Sequence, residues 1–274
     1  IYNPWSTSNG NAGDQTTVDI PGLIDPAVSD ATALARNQLA HDRLLDWMTQ
    51  VGDALDRLQQ QGVVVMFRPI SEMNGGWFWW GHRNYEDYAA LWNFLYDYFT
   101  TTRGLNNLIW VYESAATEHA PTFVGAGSSA SDYYYPGDDR VDAMCHNLYD
   151  ADWVIEWDAN RIHARYPKIY GIPQAGPDHA NRNGAFDNLI YINRTEAALP
   201  RSSFFVVWNS FNGTDPATNL PAYRRVAIVD NTHATELMGH PSVFTRESLP
   251  ASLFTLDSPA VTPAPPAISI PPAG

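Results

Sequence analysis

The chain has 274 residues, of which 45% are hydrophobic, 13% aromatic and 17% charged. This is enough apolar material for one large core or two small ones, and it excludes a disordered, collagen-like or coiled-coil chain. Sixteen basic residues against thirty acidic ones give a net charge of -14, and the resulting field repels nucleic acids and anionic membranes. We therefore expect neither as a partner.

The sequence shows no pattern typical of a membrane span, a signal peptide, a disulfide or a zinc site. No apolar run of about 18 residues could span a bilayer, and residues 1–11 lack the pattern of a signal peptide, so we expect a soluble protein. The single cysteine, Cys145, cannot form an internal disulfide, and no Cys/His spacing resembles a zinc site. We expect no metal and no cofactor.

The first predicted elements are a helical region and a strand. Apolar residues at helical spacing predict one long helix or two abutting helices over residues 30–61, ending at Gly62. The β-branched run at 63–67 then predicts a strand that is buried on both faces.

The same alternation continues along the chain. Further strands are predicted at 108–112, 141–148, 168–172 and 204–208. Helices are predicted at 85–102, 153–166 and 183–194, and residues 222–237 close the series.

Five predicted strands alternate with helices, and polar or aromatic residues follow each strand. This order is typical of an α/β protein with a (β/α)8 TIM barrel, whose active site lies in the loops after the strands. A doubly wound open sheet is the alternative, but no glycine-rich turn follows the first strand. Residues 1–257 are predicted to form the barrel domain, and the Pro/Ala-rich residues 258–274 a linker or tail.

The densest motif is FRPISEMNGGWFWWG at 67–81. It places Arg68 after a predicted strand, Glu72 four residues later, and four consecutive aromatic residues after a glycine pair. Indole rings stack on the apolar faces of sugars, and a partly desolvated carboxyl can keep a proton for a leaving oxygen. The motif therefore indicates carbohydrate chemistry. The alternative is that the tryptophans belong to the core and Glu72 is solvated.

At this motif the sequence resembles the β-mannanases of glycoside hydrolase family 26, which are retaining enzymes with two catalytic glutamates on a TIM barrel. Those enzymes carry a segment similar to FRPxHEMNGxWFWWG after the fourth strand. Further segments match in the same order: YEDYAALWNFLYDYF, GLNNLIWVY, YYPGDDRVDAMCHNLYD, KIYGIPQAGP and FFVVWNSFNG. The similarity covers about residues 1–254. It implies that IYNPWSTSNG is the end of the third strand and that the first two strands are missing.

The resemblance implies a role for each matched position. Glu72 corresponds to the general acid/base of the family. Arg68 is expected to brace the carboxylate of the nucleophile, and Tyr149 to hydrogen-bond it. Three tryptophans are expected at the sugar site, two shaping the cleft and one forming its floor: Trp77, Trp80 and Trp208.

The sequence departs from the family at four matched positions. The nucleophilic glutamate after the seventh strand is Gln174 here, and an amide cannot form the covalent intermediate at a useful rate. A histidine before the acid is Ser71, which we expect to contact the substrate at this position. A sixth-strand aspartate is Asn147, and a small polar residue after the fifth strand is Glu113. A single Glu-to-Gln change is typical of an engineered trap, whereas several coordinated departures favour natural divergence.

Another carboxylate can be considered for the missing role. Glu113 is the first candidate because it ends a strand on the same rim as Glu72, and Asp178 is the second. A separation of about 6.5 to 9.5 Å from Glu72, with room for water, permits an inverting mechanism. For Glu113 the alternative is a salt bridge, for example to Arg68. Two histidines are weaker candidates for a general base, since a lone histidine is more often an ordinary hydrogen-bonded residue: His146 and His179.

Two functions remain open from the sequence. The first is a secreted, bacterial endo-β-1,4-mannanase that uses Glu72 and an uncertain second carboxylate. The second is a catalytically inactive protein that binds β-mannan or a related β-glycan. In both cases the partner is a plant or algal polysaccharide, the protein is expected to be a monomer, and a tethered carbohydrate-binding module is compatible with the tail. Mannan, 1,3-xylan and mixed-linkage glucan are not distinguished, and a partial sequence from a decayed gene is a third reading.

Overall fold

The computed structural model describes residues 3–5, 18–115, 132–149, 162 and 164–249. Within them the strands are β1 (Val65–Phe67), β2 (Leu108–Ser114), β3 (Ala143–Leu148), β4 (Ile169–Ala175), β5 (Ser202–Val207), β6 (Phe211–Thr214) and β7 (Pro221–Arg224). The α-helices are α1 (Ile20–Ile24), α2 (Leu34–Gln60), α3 (Tyr85–Asp97), α4 (Leu189–Ala198) and α5 (Ala234–Met238). A π-helical turn (Tyr98–Thr102) extends α3, and 3-10 turns lie at Pro26–Val28, Ile228–Asp230 and Arg246–Ser248.

Strands β1 to β5 form a parallel sheet whose spatial order, β1-β2-β3-β4-β5, is the order in the chain. A doubly wound sheet reverses its strand order at a switch point, and the described strands contain no such reversal. Consecutive parallel neighbours are the arrangement of a (β/α)8 barrel. The sheet therefore has the strand order of a segment of a barrel, with β1 and β5 at its two edges.

The larger core cluster lies between α2, α3 and the first strands. Helix α2 buries one face at helical spacing, including Leu44 and Met48, and α3 contributes Trp92 and Leu95. Trp92 meets Trp110 of β2 edge to face, with ring centroids 5.7 Å apart. Apolar packing of this kind is the main source of stability in such a chain.

The predicted ends of the first helices are confirmed. Gly62 has a φ of 71° and follows the end of α2, as expected for a glycine that ends a helix in the left-handed region. Asn84 caps α3, since its side chain accepts a hydrogen bond from the amide of Asp87.

The prediction that the first strand is buried on both faces was wrong. Val64 and Met66 are 58% and 46% exposed, because β1 is an edge strand and pairs only with β2 among the described strands. The predicted helix at 183–194 begins later, at Leu189, since Asn183 and Asp187 instead form bridges with Arg225 and Thr232.

Other predicted elements were too short, combined different structures or lie outside the described residues. Strand β4 continues three residues beyond 172, and β2 two beyond 112. Residues 222–237 contain most of β7, a 3-10 turn and most of α5, and the antiparallel β6–β7 hairpin was not predicted. The helix at 153–166 lies almost entirely outside the described residues, as do the tail at 258–274 and most of the third-strand segment at the start. Among the described helices, none is long and apolar enough to cross a membrane.

Candidate active site

The parallel sheet brings the predicted site residues to the edge formed by the carboxyl ends of its strands. Arg68 and Glu72 follow β1, Glu113 lies near the end of β2, and Asn147 and Gln174 lie in β3 and β4. Asn147 pairs directly with Gln174 in the register of these strands. Paired residues on neighbouring strands point to the same face of a sheet, so the two amides meet.

The loop after β1 is fastened to the end of β2. Glu72 adopts a left-handed conformation with φ of 55°, which costs a non-glycine residue about 1 kcal/mol. Its amide donates to the carbonyl of Glu113 at 2.8 Å. The Asn74 side chain donates to the carbonyl of Ala115 at 3.0 Å and accepts from the amide of Ala115 at 2.8 Å. These bonds hold the Glu72 carboxyl at a defined position.

Glu72 is 5% exposed, and its carboxyl receives three hydrogen bonds. The indole Nε1 of Trp77 donates to Oε2 at 2.5 Å, and the Gln174 Nε2 donates to Oε1 at 2.9 Å. The Asn147 Nδ2 also donates to Oε1. Burial raises the pKa of Glu72 above its ordinary value, against the opposing effect of these donors and of the Arg68 charge. A raised pKa favours the protonated form of the carboxyl, which is the form that a general acid needs.

Arg68 contacts both Glu113 and Gln174. Its Nη1 forms a salt bridge with Glu113 Oε2, and its Nη2 donates to Gln174 Oε1 at 3.1 Å. The predicted alternative for Glu113, a salt bridge to Arg68, is therefore present. The Tyr149 hydroxyl also hydrogen-bonds the Gln174 side chain.

Glu113 lies beneath the site and is fully buried. Burial raises its pKa to about 8, Arg68 lowers it and the neighbouring Glu72 raises it. Its Oε1 accepts no hydrogen bond within the part of the chain that the structure describes. Glu113 is not among the residues that line the cleft, so the structure does not bring it to the surface that a substrate would touch.

A cleft of about 440 Å³ opens above Glu72. Aromatic side chains dominate its wall, and Trp208 is 48% exposed. The guanidinium of Arg182 lies 5.4 Å from the ring centre of Tyr149 and 5.8 Å from that of Phe211. The lining residues are Glu72, Trp77, Ala115, Asn147, Tyr149, Gln174, Asp178, His179, Arg182, Trp208 and Phe211.

Two of the predicted sugar-site residues lie elsewhere. Trp80 is 4% exposed and belongs to the larger core cluster. Its indole Nε1 donates to the carbonyl of Ser71 at 2.7 Å, so the indole packs beneath the loop that carries Glu72. Neither Trp80 nor Ser71 lines the cleft.

The remaining candidates for acid–base chemistry are divided between core and cleft. His146 is buried and its Nδ1 lies 3.2 Å from the Tyr170 hydroxyl. His179 and Asp178 line the cleft, and Asp178 accepts hydrogen bonds from the amides of Ala180 and Asn181. Among the described residues, no group of three or more His, Cys, Asp or Glu side chains could hold a metal ion.

This arrangement, a buried acid in an aromatic cleft at the carboxyl edge of a barrel-type sheet, agrees with a direct sequence comparison. The profile of glycosyl hydrolase family 26 matches residues 23–228.

The chain belongs to glycosyl hydrolase family 26.

Curated relatives in this family agree in sequence over part of their length. The mannan endo-1,4-beta-mannosidase of Bacillus subtilis strain 168 is 34% identical over 175 residues, which are 61% of this chain and 45% of the relative. The mannan endo-1,4-beta-mannosidase A and B of Caldalkalibacillus mannanilyticus is 35% identical over 176 residues, 61% of this chain and 32% of the relative. The chain thus spans less than half the length of these two proteins.

Solved structures confirm the predicted partial (β/α)8 barrel. The YdhT protein from Bacillus subtilis has a TM-score of 0.65 at 26% identity, with 87% of this chain and 62% of that chain covered. Bacillus subtilis mannanase BCman has a TM-score of 0.64 at 26% identity, with 90% and 67% covered.

Three residues of this family 26 cleft were not predicted from the sequence: Ala115, Arg182 and Phe211. Phe211 follows the predicted strand that carries Trp208 and could have been considered as a further aromatic residue of that loop. Arg182 gives no local signal, since it lies in a polar stretch, and only the fold brings it over Tyr149.

Proposed function

We propose that this protein acts on β-mannan-type polysaccharides as a glycoside hydrolase with Glu72 as the general acid. One observation carries the proposal: Glu72 is buried at the base of an aromatic cleft, in contact with the indole of Trp77. Hydrolysis of a glycosidic bond needs a proton for the departing oxygen, and a desolvated carboxyl with a raised pKa supplies it.

The lining of the cleft supports a neutral polysaccharide as the ligand. Trp77, Tyr149, Trp208 and Phe211 offer flat apolar surfaces, and Asn147 adds an amide for sugar hydroxyls. A net charge of -14 is compatible with an uncharged polymer and unfavourable for a polyanion. The curated relatives are mannan endo-1,4-beta-mannosidases by name, which favours mannan within the β-glycans.

The route proposed here is a single displacement by water. Gln174 has no nucleophilic carboxylate, so a covalent glycosyl-enzyme cannot form at this position. Glu113 is fully buried and does not line the cleft. Besides Glu72, Asp178 is the one carboxyl residue among the described residues of the lining. We propose Asp178 as the general base, with inversion at the anomeric carbon.

A second candidate function is glycan binding without cleavage. It is favoured by the contacts of Gln174, whose amide donates to Glu72 and accepts from Arg68. The Gln174 side chain therefore hydrogen-bonds both groups and offers no nucleophilic atom.

The experiment that separates the two functions is product analysis on mannan. Wild-type protein, Glu72→Gln and Asp178→Asn are incubated with mannan and mannohexaose, reducing ends are measured, and the first anomer released is identified by proton NMR. Asp53→Asn is the matched control, because Asp53 pairs with Arg103 at the surface.

The proposed route predicts reducing ends with an α-anomeric first product, lost in both site variants and kept in the control. A β-anomeric first product contradicts the route. Saturable binding of mannohexaose without reducing ends supports binding alone.

We also propose that the protein acts outside the cell as a monomer, tethered to a carbohydrate-binding module. Insoluble plant or algal polysaccharide is an extracellular substrate, which supports this location. Fractionation of the native host culture and detection of the intact protein by mass spectrometry test the proposal, and an intracellular protein would contradict it.

A further inference from the structure

Arg68 is shared between two residues of different charge. Its Nη1 pairs with the carboxylate of Glu113, and its Nη2 donates to the amide oxygen of Gln174 at 3.1 Å. A guanidinium can bind two carboxylates, but here one of its two partners is neutral.

The same contacts fix the orientation of the Gln174 amide. Its oxygen faces the cation of Arg68, and its nitrogen donates to Glu72 Oε1 at 2.9 Å. A carboxylate at position 174 would keep the contact with Arg68 but would turn an oxygen toward Glu72 Oε1. Two ionised carboxylates at that distance repel strongly, so one of them would keep a proton.

The carboxyl groups around Arg68 determine whether a carboxylate at position 174 could be ionised. Glu113 forms a salt bridge with Arg68, whose charge also lowers the pKa of Glu72, and the Oε1 of Glu113 is buried without a hydrogen-bond partner among the described residues. When Glu113 is ionised, its carboxylate therefore already balances the charge of Arg68. A third carboxyl at position 174 would compete with Glu113 for the same cation.

We propose that Glu113 is a positioning residue that holds Arg68 in place of a carboxylate at position 174. It follows that position 174 can carry an ionised carboxylate only when Glu113 is uncharged. Residues 113 and 174 are then electrostatically coupled, and their substitutions are not additive.

The consequence for catalysis rests on the proposed function. In a Gln174→Glu, Glu113→Gln double variant, the carboxylate oxygen at position 174 attacks the anomeric carbon and forms an ester bond. The bond to the leaving sugar oxygen breaks, and Glu72 gives that oxygen its proton. Water then attacks the anomeric carbon, Glu72 takes a proton from it, and the ester breaks to restore the carboxylate.

The first test measures stability and is independent of the substrate. Melting temperatures are measured at pH 9, where Glu113 is ionised because its pKa is about 8, for wild type, Gln174→Glu, Glu113→Gln and the double variant. Gln174→Glu is expected to lower the melting temperature in the wild-type background and to lower it by less than half as much in the Glu113→Gln background. Gln174→Glu combined with Asp53→Asn is the control, in which the full loss is expected.

The second test measures the covalent step. An activated 2-fluoro aryl β-mannobioside is added, and the intact mass of the protein is followed over time. The double variant is expected to gain the mass of one fluorinated mannobiosyl group about tenfold faster than Gln174→Glu alone, because a neighbouring ionised carboxyl shifts the pKa of the attacking group by about one unit or more.

The two tests distinguish failure of the electrostatic coupling between residues 113 and 174 from failure of the covalent step. Equal losses of melting temperature in both backgrounds overturn the coupling. Coupling without any adduct upholds the role of Glu113 and overturns the covalent step expected of the double variant, whereas the proposed hydrolase function is judged by the reducing ends that wild type releases. If Glu113→Gln does not fold, Glu113→Ser provides the same comparison, since it also removes the charge.

Discussion

Removal of the buried charge at Glu113 has an effect on stability that changes with pH. Glu113 is fully buried, and burial raises its pKa from the ordinary 4.5 to about 8. Between these two values the folded protein keeps a proton that the unfolded chain releases. The free energy of unfolding therefore falls as the pH rises from about 4.5 to about 8 and changes no further, through this group, at higher pH.

The size of the effect follows from the same two values. Each unit of pKa difference corresponds to about 1.4 kcal/mol. The interval between 4.5 and about 8 thus gives a loss on the order of 5 kcal/mol. Glu113→Gln resembles the protonated acid in shape and charge, so it is expected to match wild type near pH 4.5 and to be more stable by several kcal/mol at pH 8.

Urea unfolding at pH 5 and pH 8, followed by tryptophan fluorescence, measures the difference. Other groups also titrate in this range, but they are common to wild type and Glu113→Gln, so the comparison between the two proteins isolates position 113. Asp53→Asn serves as the control for loss of a surface carboxylate, with no pH-dependent difference expected. Equal stability of wild type and Glu113→Gln at pH 8 would show that the buried Glu113 carboxyl does not destabilise the folded protein when it ionises.

Two further substitutions test the loop after β1. Trp77→Phe removes the N–H that donates to the Glu72 carboxyl at 2.5 Å. The pKa of Glu72 is therefore expected to rise further, and an unchanged midpoint in a ¹³C-detected carboxyl titration would count against this hydrogen bond. Gly81→Ala places a Cβ 2.1 Å from the carbonyl oxygen of Gly75, so it is expected to cost about 1 to 3 kcal/mol of unfolding free energy. Gly52→Ala is the control, since its Cβ meets only the flexible guanidinium of an arginine; equal losses in urea unfolding would contradict the expected clash.

Elements with a strong local pattern could be predicted from the sequence. The apolar face of α2 repeats at helical spacing and ends at Gly62, and β3 is a continuous apolar run up to His146. Such periodicity depends only on residues close together in the chain, so it can be recognised without knowledge of the fold.

Features that depend on distant parts of the chain could not be predicted in the same way. The exposure of Met66 follows from the position of β1 at a sheet edge, and the late start of α4 follows from bridges that Asn183 and Asp187 form with distant residues. Local propensity contains neither contact.

The candidate site shows the same division. The motif identifies Glu72, and the structure places it in the cleft together with Trp77 and Gln174. The motif does not separate Trp77 from Trp80, because consecutive residues of an irregular loop have no fixed side-chain period. In the structure Trp77 donates a hydrogen bond to the Glu72 carboxyl, whereas Trp80 is buried in the larger core cluster.

The central claim, that the cleft around Glu72 binds a β-mannan-type chain, is tested most directly by isothermal titration of mannohexaose into wild type and Trp208→Ala. Trp208 is half-exposed in the cleft lining, so its removal deletes a stacking surface without opening the core. We expect saturable binding of mannohexaose to wild type, stronger than that of xylohexaose, and binding at least tenfold weaker for Trp208→Ala. Absence of mannohexaose binding to wild type, or equal affinities of the two proteins, would contradict the central claim.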